Sequence, residues 1–198
     1  MYRSVSANIR YLYLIKLSKW LMLIMPIVAL FYNDNGLESY DIYLLQAVYS
    51  FSVALFEVPS GYMADVIGRR TSLIIGSFLG TIGFVVLSAS STFSGFLAAE
   101  IILGLGGSFI SGSDSALLFD SLAVMKRQNY YLRYEGRITA LGNLAETVAA
   151  VGGGLLAAWS SYRAVYVSQA VIASIAIPAA LLIIEPERQP CFLFTCFI

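Results

Sequence analysis

The residues best suited to chemistry in this sequence are carboxylates that lie within long apolar runs. Glu100 and Glu146 each lie inside such a run, and Asp114 lies nearer the end of one. An ionisable group at membrane depth is costly and is a functional hypothesis by default. A carboxyl group in a partly apolar cavity also favours its protonated form, which suits proton-linked transport. We predict that these acids contact a substrate or a coupling proton; the alternative is that each one hydrogen-bonds to a neighbouring helix.

A second group of charges is concentrated between two apolar runs. Ten residues follow the spacing G-x-x-x-D-x-x-G-R-R, and its marked positions are Gly61, Asp65, Gly68, Arg69 and Arg70. Glycines let a backbone turn and approach its neighbours closely. The charges pair in only one arrangement of the neighbouring helices, so the segment predicts a short loop at a membrane face that acts as a latch. The alternative is that the two arginines only anchor the loop on the inner side.

The composition indicates which solvent surrounds the chain. Of its 198 residues, 59% are hydrophobic and 12% are charged, whereas about 25% are charged in a typical soluble domain. Because a bilayer core needs about 20 residues per helical span, the sequence predicts an all-α bundle of six transmembrane helices. Their expected ranges are 9–32, 39–59, 71–90, 93–119, 138–159 and 165–184. Residues 120–137, where charges alternate with tyrosines, predict an interfacial loop or amphipathic helix.

The placement of Lys and Arg predicts the orientation of the bundle. If both termini are cytoplasmic, the outer loops hold only Arg163. The inner flanks then hold nine basic residues: Arg3, Arg10, Arg69, Arg70, Lys126, Arg127, Arg133, Arg137 and Arg188. This asymmetry follows the rule that basic residues stay on the cytoplasmic side. Lys16 and Lys19 lie low in the first span, where they either pair with the buried acids or extend to the inner interface.

Other kinds of chemistry find little support. The sequence has no His, and its two cysteines, Cys191 and Cys196, have a spacing that suits metal binding poorly. The glycines of Gly104-x-Gly106-Gly107 follow no strand and so do not form a nucleotide motif. We therefore predict no metal site and no cofactor, and a membrane-embedded enzyme is the least supported class. Twelve basic and twelve acidic residues cancel, so we expect no nucleic-acid partner.

Four segments together carry a family resemblance: the charged spacing over 61–70, LFEVPSGY over 55–62, GLGGS over 104–108 and DSALLFD over 114–120. They resemble the amino-terminal six-helix half of major facilitator superfamily transporters, in particular bacterial efflux-like members, up to about Pro190. The resemblance implies a secondary-active transporter of small solutes or drugs in a bacterial plasma (inner) membrane.

The resemblance also implies roles for three charged residues. In the family, the loop acid, a loop arginine and an acid at the inner end of the fourth helix form one charge cluster, in which the arginine pairs with the acids. The matching positions are Asp65, Arg69 and Asp120. This cluster is implied to stabilise the outward-facing state, in which the inner ends are closed.

Two positions depart from the pattern of proton-coupled members. Glu100 stands where many of them have Arg, and Val148-Ala149 rather than a Gly-Pro pair precede Gly152-Gly153. Proton antiport therefore does not follow from the resemblance.

The sequence divides into two regions. We expect residues 1–190 to form the bundle, and residues 191–198 to be an atypical tail that results from truncation, because it does not continue a charged linker between halves. The expected partners are membrane lipid, a small-molecule substrate, and either a second six-span half or a second copy of the chain. The alternatives are an inactive fragment and a membrane partner subunit that moves no solute itself.

The orientation can be tested by labelling single thiols in intact cells. Cysteines introduced at Asn35 or Ser161 are expected to react with a membrane-impermeant reagent, because both positions lie in outer turns. A cysteine at Asn129 is expected to be spared, because it lies on the inner side. Labelling of position 129 from outside would overturn the orientation.

Overall fold

The computed structural model describes the backbone of residues 2–186 and the side chains of residues 6–186. Within this range the chain is helical and contains no strand. The helices are α1 (Tyr2–Trp20), α2 (Val28–Asp34), α3 (Ser39–Ile67), α4 (Arg69–Ala89), α5 (Phe93–Ile110), α6 (Ser113–Val124), α7 (Tyr131–Trp159), α8 (Tyr162–Ser174) and α9 (Ala176–Leu182). The expected tail, residues 191–198, lies outside the described residues.

Six stretches of helix are long and apolar enough to cross a membrane. They are Ser6–Asp34, Ser39–Ile67, Arg69–Ala89, Phe93–Val124, Gln128–Trp159 and Tyr162–Leu182. The predicted all-α fold with six spans is therefore confirmed, and the protein is an integral membrane protein. We call the end of the bundle that holds the α3–α4 turn the inner end, and the opposite end the outer end.

The segment between the second and third spans differs from its prediction. Residues 61–70 do not form a loop, because α3 continues through Ile67 and α4 begins at Arg69. The turn consists of Gly68 alone, whose φ of +100° is a conformation that favours glycine. Gly61 lies inside α3, so its predicted role in turning the chain is wrong.

The segment 120–137, which the sequence predicts to be interfacial, also differs from its prediction, because most of it belongs to two of the spans. Its first residues complete α6, which ends at Val124, and its last residues begin α7 at Tyr131. The non-helical connection is therefore short and includes a 3-10 turn over Gln128–Tyr130. The fifth span begins about two turns of helix earlier than its apolar pattern suggests, because charged residues at a membrane interface can continue a helix.

Close contact between α4 and α5 depends on glycines. A Cβ atom added to Gly76 would lie 2.6 Å from the Ile110 side chain and 2.9 Å from the Gly106 carbonyl oxygen. A Cβ added to Gly104 would lie 2.6 Å from the Cβ of Ser52 on α3. Small residues let helix backbones approach closely in lipid, where van der Waals packing drives association. These glycines therefore hold the second, third and fourth spans together.

Two buried clusters fill the bundle, one toward each end. The inner cluster is aliphatic and centres on Leu12, Leu73 and Leu118. The outer cluster contains Phe31 and Tyr166, whose ring centroids are 4.0 Å apart. Aromatic rings in such contact add to the stability gained from their burial. The two clusters leave a largely apolar cavity that contains a few polar side chains, and a set of ion pairs, as the candidate functional features.

The helices α3 and α7 present much of their apolar surface outward. Val58 on α3 is 80% exposed, and Leu144 and Val148 on α7 are also exposed. In the most apolar stretch of α3, 11% of the residues are buried within the bundle. In the most apolar stretch of the span Phe93–Val124, 44% are buried. Lipid or another protein must therefore cover these two faces.

Candidate functional site

Arg69, the first residue of α4, joins three helices at the inner end. Its Nη1 donates hydrogen bonds to Asp120 Oδ2 and, over 2.9 Å, to the Ala116 carbonyl oxygen, both on α6. Its Nη2 lies 3.9 Å from Asp65 Oδ1 on α3. The side chains of Arg69 and Asp120 are about four-fifths buried, whereas that of Asp65 is 69% exposed. Since exposed ion pairs contribute little, the contact with Asp120 is the stronger one.

The structure thus brings together Asp65, Arg69 and Asp120, the three charged residues that the family resemblance implies form one cluster. That this contact acts as a latch stays a prediction. Arg70 has a different partner: its Nη2 donates a hydrogen bond to the Leu181 carbonyl oxygen on α9 over 2.9 Å. Gly68 forms the turn between the two helices that carry Asp65 and Arg69.

An acid that sequence reasoning missed binds the start of α4. Glu185 Oε1 accepts a hydrogen bond from the backbone N–H of Arg69 (3.0 Å), and Oε2 accepts one from that of Arg70 (2.7 Å). The sequence around Glu185 indicates only the end of the sixth span. A contact between residues 116 positions apart leaves no local signal.

A second group of charges is centred on Lys16 of α1. Its Nζ lies 2.5 Å from Glu135 Oε1 on α7 and 3.6 Å from Asp114 Oδ2 on α6. Lys16 and Asp114 are each 7% exposed, so Lys16 pairs with acids and does not extend to the interface. Glu135 was not among the expected site residues. Buried charges need paired partners, and this cluster therefore fixes the inner halves of the first, fourth and fifth spans to one another.

A third feature is a buried carboxylate next to a partly open cavity between the helices. The Tyr32 hydroxyl donates to Glu100 Oε1 over 2.6 Å, and the two residues are 1% and 5% exposed. Both line a cavity of about 420 Å³. Glu146 lines the same cavity, whereas Asp114 does not. The structure therefore places two of the three expected acids at one cavity and the third in the Lys16 cluster.

The wall of this cavity includes an interruption in the first span. Between α1 and α2 the backbone leaves the helix, and the Leu23 N–H donates to Gln169 Oε1 on α8 over 2.8 Å. Gln169 is 1% exposed. A backbone group without a helical partner in the membrane must be satisfied by another protein group. Gln169 serves this purpose here. Sequence reasoning missed the interruption, although Pro26, which has no backbone N–H and lies in the 3-10 turn Met25–Ile27, is a signal for it.

Metal binding finds no support in the part of the chain that the structure describes. Across residues 2–186, no three His, Cys, Asp or Glu side chains gather closely enough to hold a metal ion. The chemistry available at the cavity is that of carboxylates, the ammonium group of Lys19, hydroxyls, amides and aromatic rings.

A six-span bundle with a buried acid, Glu100, at a cavity between its helices resembles the six-helix halves from which some membrane transporters are built. The chain belongs to the major facilitator superfamily, whose model matches residues 18–192. This membership points to a transporter and not to an enzyme.

Two curated relatives show how far the similarity extends. Quinolone resistance protein NorA from Staphylococcus aureus (strain MRSA252) is 23% identical over 168 residues, which is 84% of this chain and 42% of that protein. An uncharacterized transporter from Buchnera aphidicola subsp. Schizaphis graminum is 31% identical over 86 residues, which is 43% of this chain and 22% of that protein. The chain thus spans about two fifths of the length of the NorA protein that it matches.

The two arginines after Gly68 are expected to differ in their contribution to stability. Arg69→Ala removes the partner of a largely buried carboxylate and is expected to lower the free energy of unfolding by about 1.5–3 kcal/mol. Arg70→Ala, the matched control, removes one hydrogen bond to a carbonyl and is expected to cost about 0.5–1.5 kcal/mol. Denaturant titration of each purified variant in detergent micelles measures its free energy of unfolding. Equal, small losses would indicate that the arginines only anchor the turn.

Proposed function

We propose that this chain forms one wall of a secondary-active transporter of small solutes or drugs in a bacterial plasma membrane. The observation that carries the proposal is the buried Glu100, held by Tyr32 at the edge of a cavity of about 420 Å³. The group that donates a hydrogen bond to Glu100 is the neutral hydroxyl of Tyr32 and not a cation. A carboxylate in such a place attracts a proton or a cationic group of a ligand.

The size and lining of the cavity fit a small organic ligand. Ligand sites are typically apolar clefts of about 300–1,000 Å³ with a few convergent polar groups. The walls here include aromatic and aliphatic side chains, and the polar groups include those of Glu100, Glu146 and Gln169. The NorA relative is named for quinolone resistance, which supports a drug-like molecule as one class of substrate for this chain.

The inner ion pairs supply a gate in this proposal. Arg69 and Asp120 connect the third and fourth spans where these end at the inner face. While the contact is intact the inner ends stay together, which corresponds to the outward-facing state implied by the family. Opening the inner face requires Arg69 to leave Asp120, so binding at the cavity must offset that loss for transport to proceed.

The second wall of the transport path must come from another bundle. The outward apolar faces of α3 and α7 are the surfaces available for it, as the exposure of Val58 and Val148 indicates. Either a second six-span half or a second copy of the chain can provide this wall. The orientation with both termini in the cytoplasm is supported by the uneven placement of basic residues. Arg163 lies at the outer end, beside Asn35 and Ser91, whereas Arg69 and Arg70 begin α4 at the inner end.

Ligand binding at the cavity tests the proposal without requiring a second wall. The purified chain in lipid nanodiscs is expected to bind, saturably, at least one member of a panel of fluorescent drugs and solutes that includes a quinolone. Glu100→Gln is expected to weaken that binding about tenfold or more, equivalent to about 1.4 kcal/mol. The matched control, Asp34→Asn, removes an exposed acid that does not line the cavity and is expected to leave binding unchanged.

Two results of this experiment would contradict the proposal. One is the absence of saturable binding across the whole panel. The other is equal affinity in the chain with Glu100 and in the Glu100→Gln variant, which would leave the carboxylate with a purely structural role.

A further inference from the structure

The start of α4 has an unusual arrangement of hydrogen bonds. The first N–H groups of any helix have no partner within the helix, and the residue before the helix usually supplies an acceptor from its side chain. Here that residue is Gly68, which has no side chain. The acceptors come instead from Glu185, whose two carboxylate oxygens each bind one backbone N–H, those of Arg69 and Arg70. A carboxylate at this end also interacts favourably with the helix dipole.

Position 68 lies next to this carboxylate. A Cβ atom added there would lie 3.4 Å from both Glu185 Cδ and Oε2, which is an ordinary contact distance. The φ of Gly68, +100°, turns the chain sharply from α3 into α4. The turn, and not the space for the carboxylate, is therefore what favours glycine at this position.

Glu185 is itself held in place by the first span. The preceding residue, Ile184, donates its backbone N–H to Asn8 Oδ1 over 3.0 Å, and its carbonyl oxygen accepts from Asn8 Nδ2 over 2.7 Å. Asn8 is fully buried. These two hydrogen bonds fix the backbone next to Glu185 against α1. The carboxylate thus extends from a fixed backbone to the first turn of α4.

The direction of the Arg69 side chain depends on this first turn. The backbone N–H of Arg69 binds Glu185, while its guanidinium binds Asp120 and the Ala116 carbonyl oxygen. Unwinding of the first turn would move the Arg69 Cα and withdraw the guanidinium from α6. The Arg70 side chain also hydrogen-bonds near Glu185, because it donates to the Leu181 carbonyl oxygen at the end of α9.

We propose that Glu185 is the positioning residue of the inner latch: it holds the first turn of α4 so that Arg69 reaches Asp120. The role of this latch in transport rests on the proposed function. The positioning itself does not, because it is a property of the inner end and can be measured without any ligand. Absence of saturable ligand binding at the cavity would contradict the proposed function alone.

The first test is hydrogen–deuterium exchange of the purified chain in nanodiscs. Glu185→Ala is expected to speed exchange of the Arg69 and Arg70 amides about tenfold or more, because both lose their acceptor. Glu185→Gln is expected to have a smaller effect, because its amide oxygen can still accept one hydrogen bond. Exchange in the middle of α5 is expected to stay unchanged, which excludes general unfolding. Unchanged exchange at positions 69 and 70 in Glu185→Ala would overturn the proposal.

The second test separates positioning from a contribution to stability alone. Spin labels at Thr71 on α4 and Phe119 on α6, both exposed, report the separation of the two helices. Glu185→Ala and Asp120→Asn are each expected to broaden the distance distribution. The double variant is expected to broaden it no further, because both changes act on one contact. A distribution that stays narrow in Glu185→Ala, or effects that add in the double variant, would contradict the proposal.

Discussion

The inner end of this bundle depends on the contacts of Arg69. A guanidinium group has five N–H donors in a fixed plane and stays charged. Burying most of it is favourable only if acidic or carbonyl oxygens surround it, and Asp120 and the Ala116 carbonyl provide them from α6. The backbone N–H of the same residue binds Glu185 beyond α9. One residue thus connects the third, fourth and sixth spans, and each contact constrains the geometry of the others.

The buried acid at the cavity, in the outer half of the bundle, has a different kind of partner. Lys16 and Arg69 pair with acids toward the inner end, whereas Glu100 at the cavity is held by the neutral hydroxyl of Tyr32. A hydroxyl satisfies one lone pair of a carboxylate but does not compensate its charge. In the proposed function, Glu100 therefore binds a proton or a cationic group of a ligand, whereas the charged residues at the inner end hold helices together. The proposal thus places ligand binding and gating in separate parts of one fold.

The sequence predicts the six spans because apolar stretches of sufficient length are themselves the signal for membrane helices. It also predicts the meeting of Arg69 with Asp120, although through family resemblance and not through local spacing. The helical state of residues 61–67 is missed because glycine marks both turns and close helix packing. Glu135 and Glu185 are missed for another reason. Their partners lie 119 and 116 positions away in the chain, and only the packing of spans brings them together.

The most direct test of the gate is a charge exchange between Arg69 and Asp120, read by access to the cavity from the inner side. A cysteine replacing Ser18, a buried residue that lines the cavity, reports this access in inside-out vesicles treated with an impermeant maleimide. The native Cys191 and Cys196 are first replaced by Ser, so that position 18 carries the single thiol. We expect slow labelling in the chain with both native charges, fast labelling in Arg69→Asp, and slow labelling again when Asp120→Arg is added. Fast labelling with the native charges intact, or no recovery in the exchanged pair, would contradict the account.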